Sequence, residues 1–181
     1  MTKIIESTFI TLDGVIGDPH VWGMPYWDEE HNGYAGKLSQ ATGALLLGRE
    51  TYQAFIEPWT SRAGDPGADE MNARPKYVAS RTLPAGPADW NAEVLEGDAV
   101  DAVRDLKSAG GPDLLKYGTG TFSADLIAAG LIDELHLWVF PVVAGSGARL
   151  LDGAPLTHLQ LLDTTTFASG IVVHVLGPKA A

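Results

Sequence analysis

The stretch LLKYGTGTFSADLIAAGLIDELHLWVF, residues 114–140, predicts a strand, a glycine-containing turn, a helix and a second strand in succession. Gly118 and Gly120 lie in the turn, and the helical segment SADLIAAG ends at Gly130, a residue favoured just beyond a helix C-terminus. The apolar run that follows, residues 133–143, predicts a long strand. Strands that alternate with helices in this way are typical of an α/β fold with a mostly parallel sheet.

The alternation continues on both sides of this stretch. The strands are predicted at residues 4–10, 44–48 and 76–80, around 94–95, and at 156–167 and 171–176. The helical segments are predicted at residues 28–40, 49–55 and 98–111, and residues 57–75, rich in proline and glycine, are expected to form a long surface loop. The last two strands form a hairpin around Ala168-Ser169-Gly170, which adds an antiparallel edge to the parallel sheet. We expect one domain over residues 1–181.

Composition and charge exclude several classes of protein. The chain has 181 residues, 45% of them hydrophobic and 19% charged, which is typical of a globular protein. A net charge of -11 with only 12 lysines and arginines argues against binding to nucleic acid or to an anionic membrane. Cysteine is absent, so disulfides and thiolate metal sites are excluded. Without a signal peptide or a long apolar run, we expect a soluble, cytoplasmic protein.

The glycine pair has two explanations. Gly118-Thr119-Gly120 can be a tight turn and nothing more, or it can let a phosphate group approach the backbone. The free amides of Thr121 and Phe122 at the start of the following helix, together with the helix dipole, would favour an anion there.

Two arginines follow predicted strands in the same way. Arg49 follows the run ALLLG, and Arg81 follows KYVAS with Ser80 beside it. Ligands of open α/β sheets bind beyond the carboxyl ends of the strands, so these side chains are candidates for an anionic ligand. A solvated arginine paired with Glu50 or Glu57 is the alternative.

Acidic, aromatic and histidine residues give further candidates. Asp28, Glu29 and Glu30 either complement a helix N-terminus or supply a proton to a substrate. The side chains that could line a pocket for a flat heterocycle, or simply pack, are Trp22, Tyr26, Trp27 and Trp59. The five histidines show no paired metal spacing, so no metal is expected, and His136 and His174 in strand patterns are expected to face outward.

Several of these motifs, in this order, resemble the dihydrofolate reductase-like superfamily. They are TLDGVIG, LLLGRETY, KYVAS and the late block GTGTF to GSGARLL, which span about residues 3–176. The closer similarity is to the branch related to the reductase domain of the bifunctional riboflavin-biosynthesis deaminase–reductase. In the folate enzymes the first glycine of the turn is followed by another glycine, often across a cis bond, whereas here it is followed by Thr119.

The resemblance implies a fold, a cofactor and a set of site residues. The fold is a mostly parallel sheet of about eight strands with helices on both faces and an antiparallel C-terminal hairpin, and the cofactor is NADPH. Val15 and Ile16 would lie near the nicotinamide. The residues that would contact the rest of the cofactor are Gly48, Arg49, Thr51, Ser80, Arg81, Gly118, Thr119, Gly120, Thr121 and Phe122.

The resemblance also implies a function. The leading hypothesis is an NADPH-dependent reductase that transfers hydride to a small heterocyclic substrate, pteridine- or pyrimidine-like, with Asp28, Glu29 or Glu30 as the proton donor. The alternatives are a non-catalytic nucleotide- or small-molecule-binding protein with the reductase fold, and a dimeric scaffold with an empty pocket. A homodimer through the apolar stretch LHLWVFPVV, residues 135–143, is expected.

Overall fold

The computed structural model describes residues 1–179, in which nine strands form one sheet. The strands are β1 (Ile4–Thr11), β2 (Ala44–Gly48), β3 (Lys76–Ala79), β4 (Gly86–Ala88), β5 (Ala92–Val94), β6 (Leu114–Tyr117), β7 (Glu134–Phe140), β8 (Leu159–Thr166) and β9 (Val172–Pro178). Their order is β4-β5-β3-β2-β6-β1-β7-β9-β8. The six strands from β5 to β7 are parallel to one another, and β4, β9 and β8 are antiparallel to their neighbours. The predicted mostly parallel sheet with an antiparallel C-terminal hairpin is therefore confirmed.

Helices cover both faces of the sheet. They are α1 (Pro19–Trp22), α2 (Glu29–Ala41), α3 (Arg49–Thr60), α4 (Pro66–Ala73), α5 (Ala99–Ala109) and α6 (Thr121–Ala128), with a short 3₁₀ turn at Met24–Tyr26. Successive strand residues point to opposite faces, so the apolar runs fill two cores. One core contains Leu45 and Leu47 with Tyr52 of α3, and the other contains Leu46 with Val103 of α5 and Leu126 of α6.

Residues 57–75 differ from the prediction of a long loop. The helix α3 continues to Thr60 with Pro58 in its last turn, and α4 occupies most of the remainder. Pro66 stands at the first position of α4, where its missing N–H costs nothing, and the Asp65 carboxylate accepts hydrogen bonds from the amides of Gly67 and Ala68. The prolines that suggested a loop therefore mark the end of one helix and the start of the next.

The edge beyond β3 also differs from the prediction. A second hairpin, β4 and β5, stands where a loop and a single strand were expected, so the sheet has nine strands within residues 1–179 rather than about eight. Trp90 and Asn91 form its turn with φ values of 62° and 52°. Three residues, Asp89 to Asn91, separate the paired Ala88 and Ala92. A left-handed conformation is uncommon for a bulky residue such as Trp90, so Trp90 gave no signal for this turn.

Two expectations about side-chain exposure are wrong. His136 is buried rather than outward-facing, since Tyr34 Oη lies 2.8 Å from its Nδ1 and Glu134 Oε2 lies 3.1 Å from its Nε2. The strand β7 lies between β1 and β9, and its Trp138 and Phe140 side chains are fully buried. The stretch that was expected to form a dimer surface is therefore mostly internal.

None of the helices within residues 1–179 is both long enough and apolar enough to cross a membrane.

Candidate functional site

A cleft of about 610 Å³ opens at the carboxyl ends of β2, β3 and β6. Three parallel strands end there, and the chain leaving each of them contributes to the wall. The predicted cofactor residues that line it are Gly48, Arg49, Thr51, Ser80, Arg81, Gly118, Thr119, Gly120, Thr121 and Phe122. The tertiary structure thus brings together segments that the sequence only placed after separate strands.

The two glycines of the turn serve different purposes. Gly118 has a φ of +76°, and a Cβ built on it would lie 2.0 Å from Thr51 Oγ1, so any other residue would be strained and would have to displace the Thr51 side chain. Gly120 has a φ of −179°, and a Cβ there would meet no heavy atom within 4 Å. Gly118 is required by the packing of the protein itself, whereas Gly120 leaves open space beside the backbone.

The amino end of α6 is free to bind an anion. Gly120 precedes the helix, and within the described residues no side chain caps its first amides. Unsatisfied N–H groups at a helix N-terminus carry a partial positive charge and bind phosphate or carboxylate groups. The absence of a Cβ at Gly120 would let such a group reach the backbone.

Thr119, which differs from the glycine of the folate enzymes, turns its side chain inward. Its hydroxyl donates to Glu6 Oε1 at 3.1 Å and forms a short hydrogen bond with the Thr8 hydroxyl, both on β1. No cis peptide bond occurs among residues 1–179. The turn therefore accommodates the Thr119 side chain, which is hydrogen-bonded to β1 below it.

A buried ion pair lies below the turn. Glu6 and Lys116 are directly opposite each other on β1 and β6, their side chains are 0% and 1% exposed, and Lys116 Nζ lies 3.3 Å from Glu6 Oε2. Lys116 Nζ also donates to Gly118 O at 2.5 Å and to Ser123 Oγ at 2.6 Å. Burial lowers the pKa of Lys116, and the Glu6 carboxylate opposes that shift. Glu6 and Lys116 lie far apart in the sequence, which gave no sign of their pairing.

The two arginines that line the cleft follow two neighbouring strands, β2 and β3. Arg49 begins α3, its side chain is 41% exposed, and its guanidinium lies 3.5 Å from the exposed carboxylate of Glu50. Exposed pairs of this kind contribute little, so Arg49 can exchange Glu50 for a ligand. Arg81 is exposed in the loop after β3, and the neighbouring Ser80 hydroxyl accepts the amides of Thr82 and Leu83.

Val15 and Ile16 lie outside the lining of this cleft. Val15 is buried in a bridge with Arg149, and the Ile16 amide donates to Ala148 O at 2.8 Å. The Asp13 carboxylate accepts the amides of Ala144 and Gly145, and its hydrogen bonds, chiefly that from the Thr11 hydroxyl, lower its pKa to about 2. The loop after β1 is therefore fastened to residues 144–150 at the carboxyl edge of the sheet.

The three candidate proton donors also lie outside the lining of the cleft. Asp28 is the N-cap of α2 and accepts the His31 amide at 2.9 Å. Glu30 accepts the amide of Ala168 in the β8–β9 turn at 2.6 Å. Glu29 stands between them, exposed in the first turn of α2. Asp28 therefore caps α2, which is one of the two alternatives that the sequence offered, whereas Glu30 binds the β8–β9 turn.

Three of the four candidate aromatic side chains gather beside β1 and β7. Trp22 and Tyr26 pack edge-on against Phe140, and Trp27 stacks on His31 with ring centroids 3.9 Å apart. Trp59 is separate and packs under the Arg62 guanidinium at the end of α3.

His31 is a member of this aromatic group that the sequence did not single out. It is fully buried, and neither ring nitrogen has a hydrogen-bond partner within the described part of the chain. Burial lowers the pKa of His31. Among residues 1–179, no three histidine, aspartate or glutamate side chains gather closely enough to hold a metal ion.

Known proteins similar to this chain point to one family. The family model of the RibD C-terminal domain matches residues 2–173. The Bacillus subtilis (strain 168) protein YyaP, itself uncharacterized, is 29% identical over 178 residues, which cover 94% of this chain and 92% of YyaP.

Solved structures share the fold at low identity. A protein of Shewanella sp. PV-4 assigned to riboflavin biosynthesis superposes with a TM-score of 0.75 at 19% identity, over 99% of this chain and 100% of that one. The diaminohydroxyphosphoribosylaminopyrimidine deaminase/5-amino-6-(5-phosphoribosylamino)uracil reductase of Thermotoga maritima superposes with a TM-score of 0.69 at 14% identity. This chain covers 57% of the Thermotoga protein, and 98% of this chain is matched. With a dihydrofolate reductase-like fold and a family match over nearly its whole length, the chain belongs to the RibD C-terminal domain family.

Proposed function

We propose that this protein is an NADPH-dependent oxidoreductase that reduces a small heterocyclic, pteridine- or pyrimidine-like, substrate. The observation that carries the proposal is the convergence of an uncapped helix N-terminus, an open glycine and two arginines on one cleft. The cleft volume of about 610 Å³ is within the range of small-molecule and cofactor sites. Family membership supports the reductase chemistry.

The residues present fit the anionic parts of the cofactor. The amides after Gly120 would bind the pyrophosphate, and Gly48 and Thr51 would flank it. Arg49 and Arg81 would bind the 2′-phosphate that distinguishes NADPH from NADH. Val15 and Ile16 would lie beside the nicotinamide, since the loop after β1 is at the same edge of the sheet. When bound, NADPH supplies the hydride.

The substrate and its proton donor belong on the other side of β1. The aromatic rings around Phe140 offer stacking surfaces for a flat heterocycle, next to the first turn of α2. We propose that Asp28, Glu29 or Glu30 protonates the substrate. Asp28 and Glu30 accept backbone amides, so their substitution would also remove structural hydrogen bonds. Glu29→Gln avoids this and is the first substitution to test. Loss of turnover with unchanged NADPH affinity would support Glu29, and full turnover after neutralising all three would overturn the assignment.

A second candidate function is ligand binding without catalysis. The position of the three acids outside the cleft favours it, together with the use of two of them as backbone ligands. NADPH binding without oxidation in the presence of pteridines and pyrimidines would support this candidate over the reductase.

The decisive experiment is a titration of the protein with NADPH and NADH, followed by cofactor fluorescence. A charged hydrogen bond contributes about 1.5–3 kcal/mol, so Arg49→Ala and Arg81→Ala should each weaken NADPH about ten- to a hundredfold and NADH much less. Arg104→Ala is a matched control, because Arg104 pairs with Asp101 on α5 outside the cleft. Equal losses for both nucleotides would remove the 2′-phosphate role, and no binding of either would overturn the proposed function.

We also propose a homodimer, with its contact at β8. This strand is at one end of the sheet, so its outer backbone groups are available to a partner strand. Leu161 and Leu162 on it are 59% and 49% exposed. Light scattering at micromolar concentration should give twice the chain mass, and Leu161→Lys with Leu162→Lys should give a monomer. A monomeric wild-type protein would overturn this proposal.

A further inference from the structure

The ion pair of Glu6 and Lys116 is hydrogen-bonded to the glycine turn at two points and to α6 at a third. Lys116 Nζ donates to Gly118 O and to Ser123 Oγ, and Glu6 Oε1 accepts from the Thr119 hydroxyl. The Thr8 hydroxyl donates to the Thr119 hydroxyl and lies 3.4 Å from Glu6 Oε1. The turn and the first helical turn of α6 are therefore linked to β1 and β6 through one pair of charges.

Stability alone does not account for such a pair. Removing two charges from water carries a large desolvation penalty, and apolar replacements of similar volume often leave stability unchanged or raise it. Both side chains are almost completely inaccessible, so the full penalty applies here. A role in the cleft above the pair explains why charged residues stand at this place.

We propose that Glu6 and Lys116 are positioning residues that set the orientation and the charge of the Gly118–Gly120 turn for binding a diphosphate. Because the peptide unit is planar and trans, holding Gly118 O against Lys116 directs the Thr119 N–H the opposite way. The Gly118 carbonyl, which would repel a phosphate, is therefore held against Lys116. The Thr119 hydroxyl fixes Thr119 to Glu6.

The charges of the pair have unequal effects on an anion in the cleft. Lys116 is among the residues that line the cleft, and Glu6 lies behind it. If Lys116 were neutral, the buried Glu6 carboxylate would repel a phosphate across a medium that screens charges poorly. If Glu6 were neutral, Lys116 would attract the anion without opposition. This inference rests on the proposed function only in naming NADPH as the natural source of the diphosphate.

Three variants separate this role from a merely structural one: Glu6→Gln, Lys116→Met and the double variant. Titrations with NADPH and with inorganic pyrophosphate give the affinities, and urea unfolding gives the stabilities. We expect Lys116→Met to weaken both ligands at least about tenfold, Glu6→Gln to leave them within about threefold or tighten them, and the double variant to recover most of the loss. Both single variants should lose stability, since each leaves one buried charge unpaired.

A second buried lysine provides the matched control. Lys107 forms an ion pair with Asp133 and donates to Leu131 O, outside the cleft. Lys107→Met should lower stability and leave both affinities unchanged. If Lys116→Met does not fold, Glu6→Gln should still bind pyrophosphate about threefold more tightly than the double variant, because only Glu6→Gln keeps the cation.

The outcomes distinguish this inference from the proposed function. If Glu6→Gln and Lys116→Met weaken ligand binding equally, the positioning role is overturned and the proposed function is not. The same holds if the loss of affinity in each variant, including Lys107→Met, is proportional to its loss of stability. Wild-type protein that binds pyrophosphate but not NADPH would overturn the proposed cofactor and leave the variant comparison intact. Wild-type protein that binds neither would overturn both.

Discussion

Gly118 shows how a single residue is fixed by its surroundings. Gly118→Ala would place a methyl group 2.0 Å from Thr51 Oγ1 in a left-handed backbone conformation. The conformation alone costs about 1–2 kcal/mol, and the displacement of Thr51 adds to it. We expect a clear loss in the free energy of unfolding, measured by urea denaturation. Thr51→Ala in the same chain should restore part of it, because the nearest remaining Thr51 atom, its Cβ, is 3.2 Å away. Unchanged stability of Gly118→Ala would contradict this geometry.

Gly120 should give the opposite result. A Cβ at Gly120 meets no heavy atom within 4 Å, and its backbone is extended, so Gly120→Ala should change stability by less than about 0.5 kcal/mol. The added methyl group would occupy the space through which a phosphate reaches the α6 amides. We expect about tenfold weaker NADPH binding in a fluorescence titration. Wild-type affinity in Gly120→Ala would show that no ligand approaches the backbone there.

At the scale of a single element, Asp98 links the start of α5 to the cleft. Its carboxylate accepts the amides of Val100 at 2.9 Å and Asp101 at 3.1 Å, and it also lines the cleft. Asp98→Ala should lower the free energy of unfolding by about 1 kcal/mol. Asp98→Asn, which keeps the capping oxygen but removes the charge, should keep the stability and bind NADPH at least as tightly. Equal destabilisation by both variants would mean that the charge, and not the cap, stabilises α5.

Local signals also explain which elements could be predicted. The apolar run at Leu45–Leu47 predicts a strand buried on both faces, and the structure confirms it at β2. The helix α4 was missed because Pro66 and Gly67 suggest a loop as strongly as they suggest a helix start. Only the Asp65 cap distinguishes the two, and a capping aspartate is equally common in turns.

At the scale of the whole molecule, two buried histidines make stability depend on pH. Burial lowers the pKa values of His31 and His136 below the ordinary 6.5, although the hydrogen bond that His136 donates to Glu134 partly opposes the shift at His136. The unfolded chain therefore takes up protons first as the pH falls. The resulting stability is fully present above pH 6.5 and is lost below it, by up to about 1.4 kcal/mol per pH unit for each histidine.

Urea unfolding between pH 7.5 and 5 tests this dependence. The free energy of unfolding should fall with pH in the wild type, and His31→Phe should reduce the slope, because a phenyl ring can occupy the aromatic site without titrating. Wild-type stability that is constant over this range would contradict the burial of both imidazoles.

The succession of most elements follows from local patterns, because helix and strand periodicities and turn residues act over a few neighbouring positions. The sequence also identified the glycine turn and the two arginines, since each directly follows an apolar run. The hairpin β4–β5 was not predicted, because Trp90, one of the two left-handed residues in its turn, has no local preference for that conformation.

Which segments meet in the cleft depends on contacts that form only in the folded chain. The strand order places β6 between β2 and β1, which brings the glycine turn next to Thr51 on one side and next to Glu6 on the other. The pairing of Glu6 with Lys116 and the burial of His31 depend on contacts between parts of the chain that are far apart in sequence. Sheet pairing and burial are long-range properties, so no local pattern of residues could have specified them.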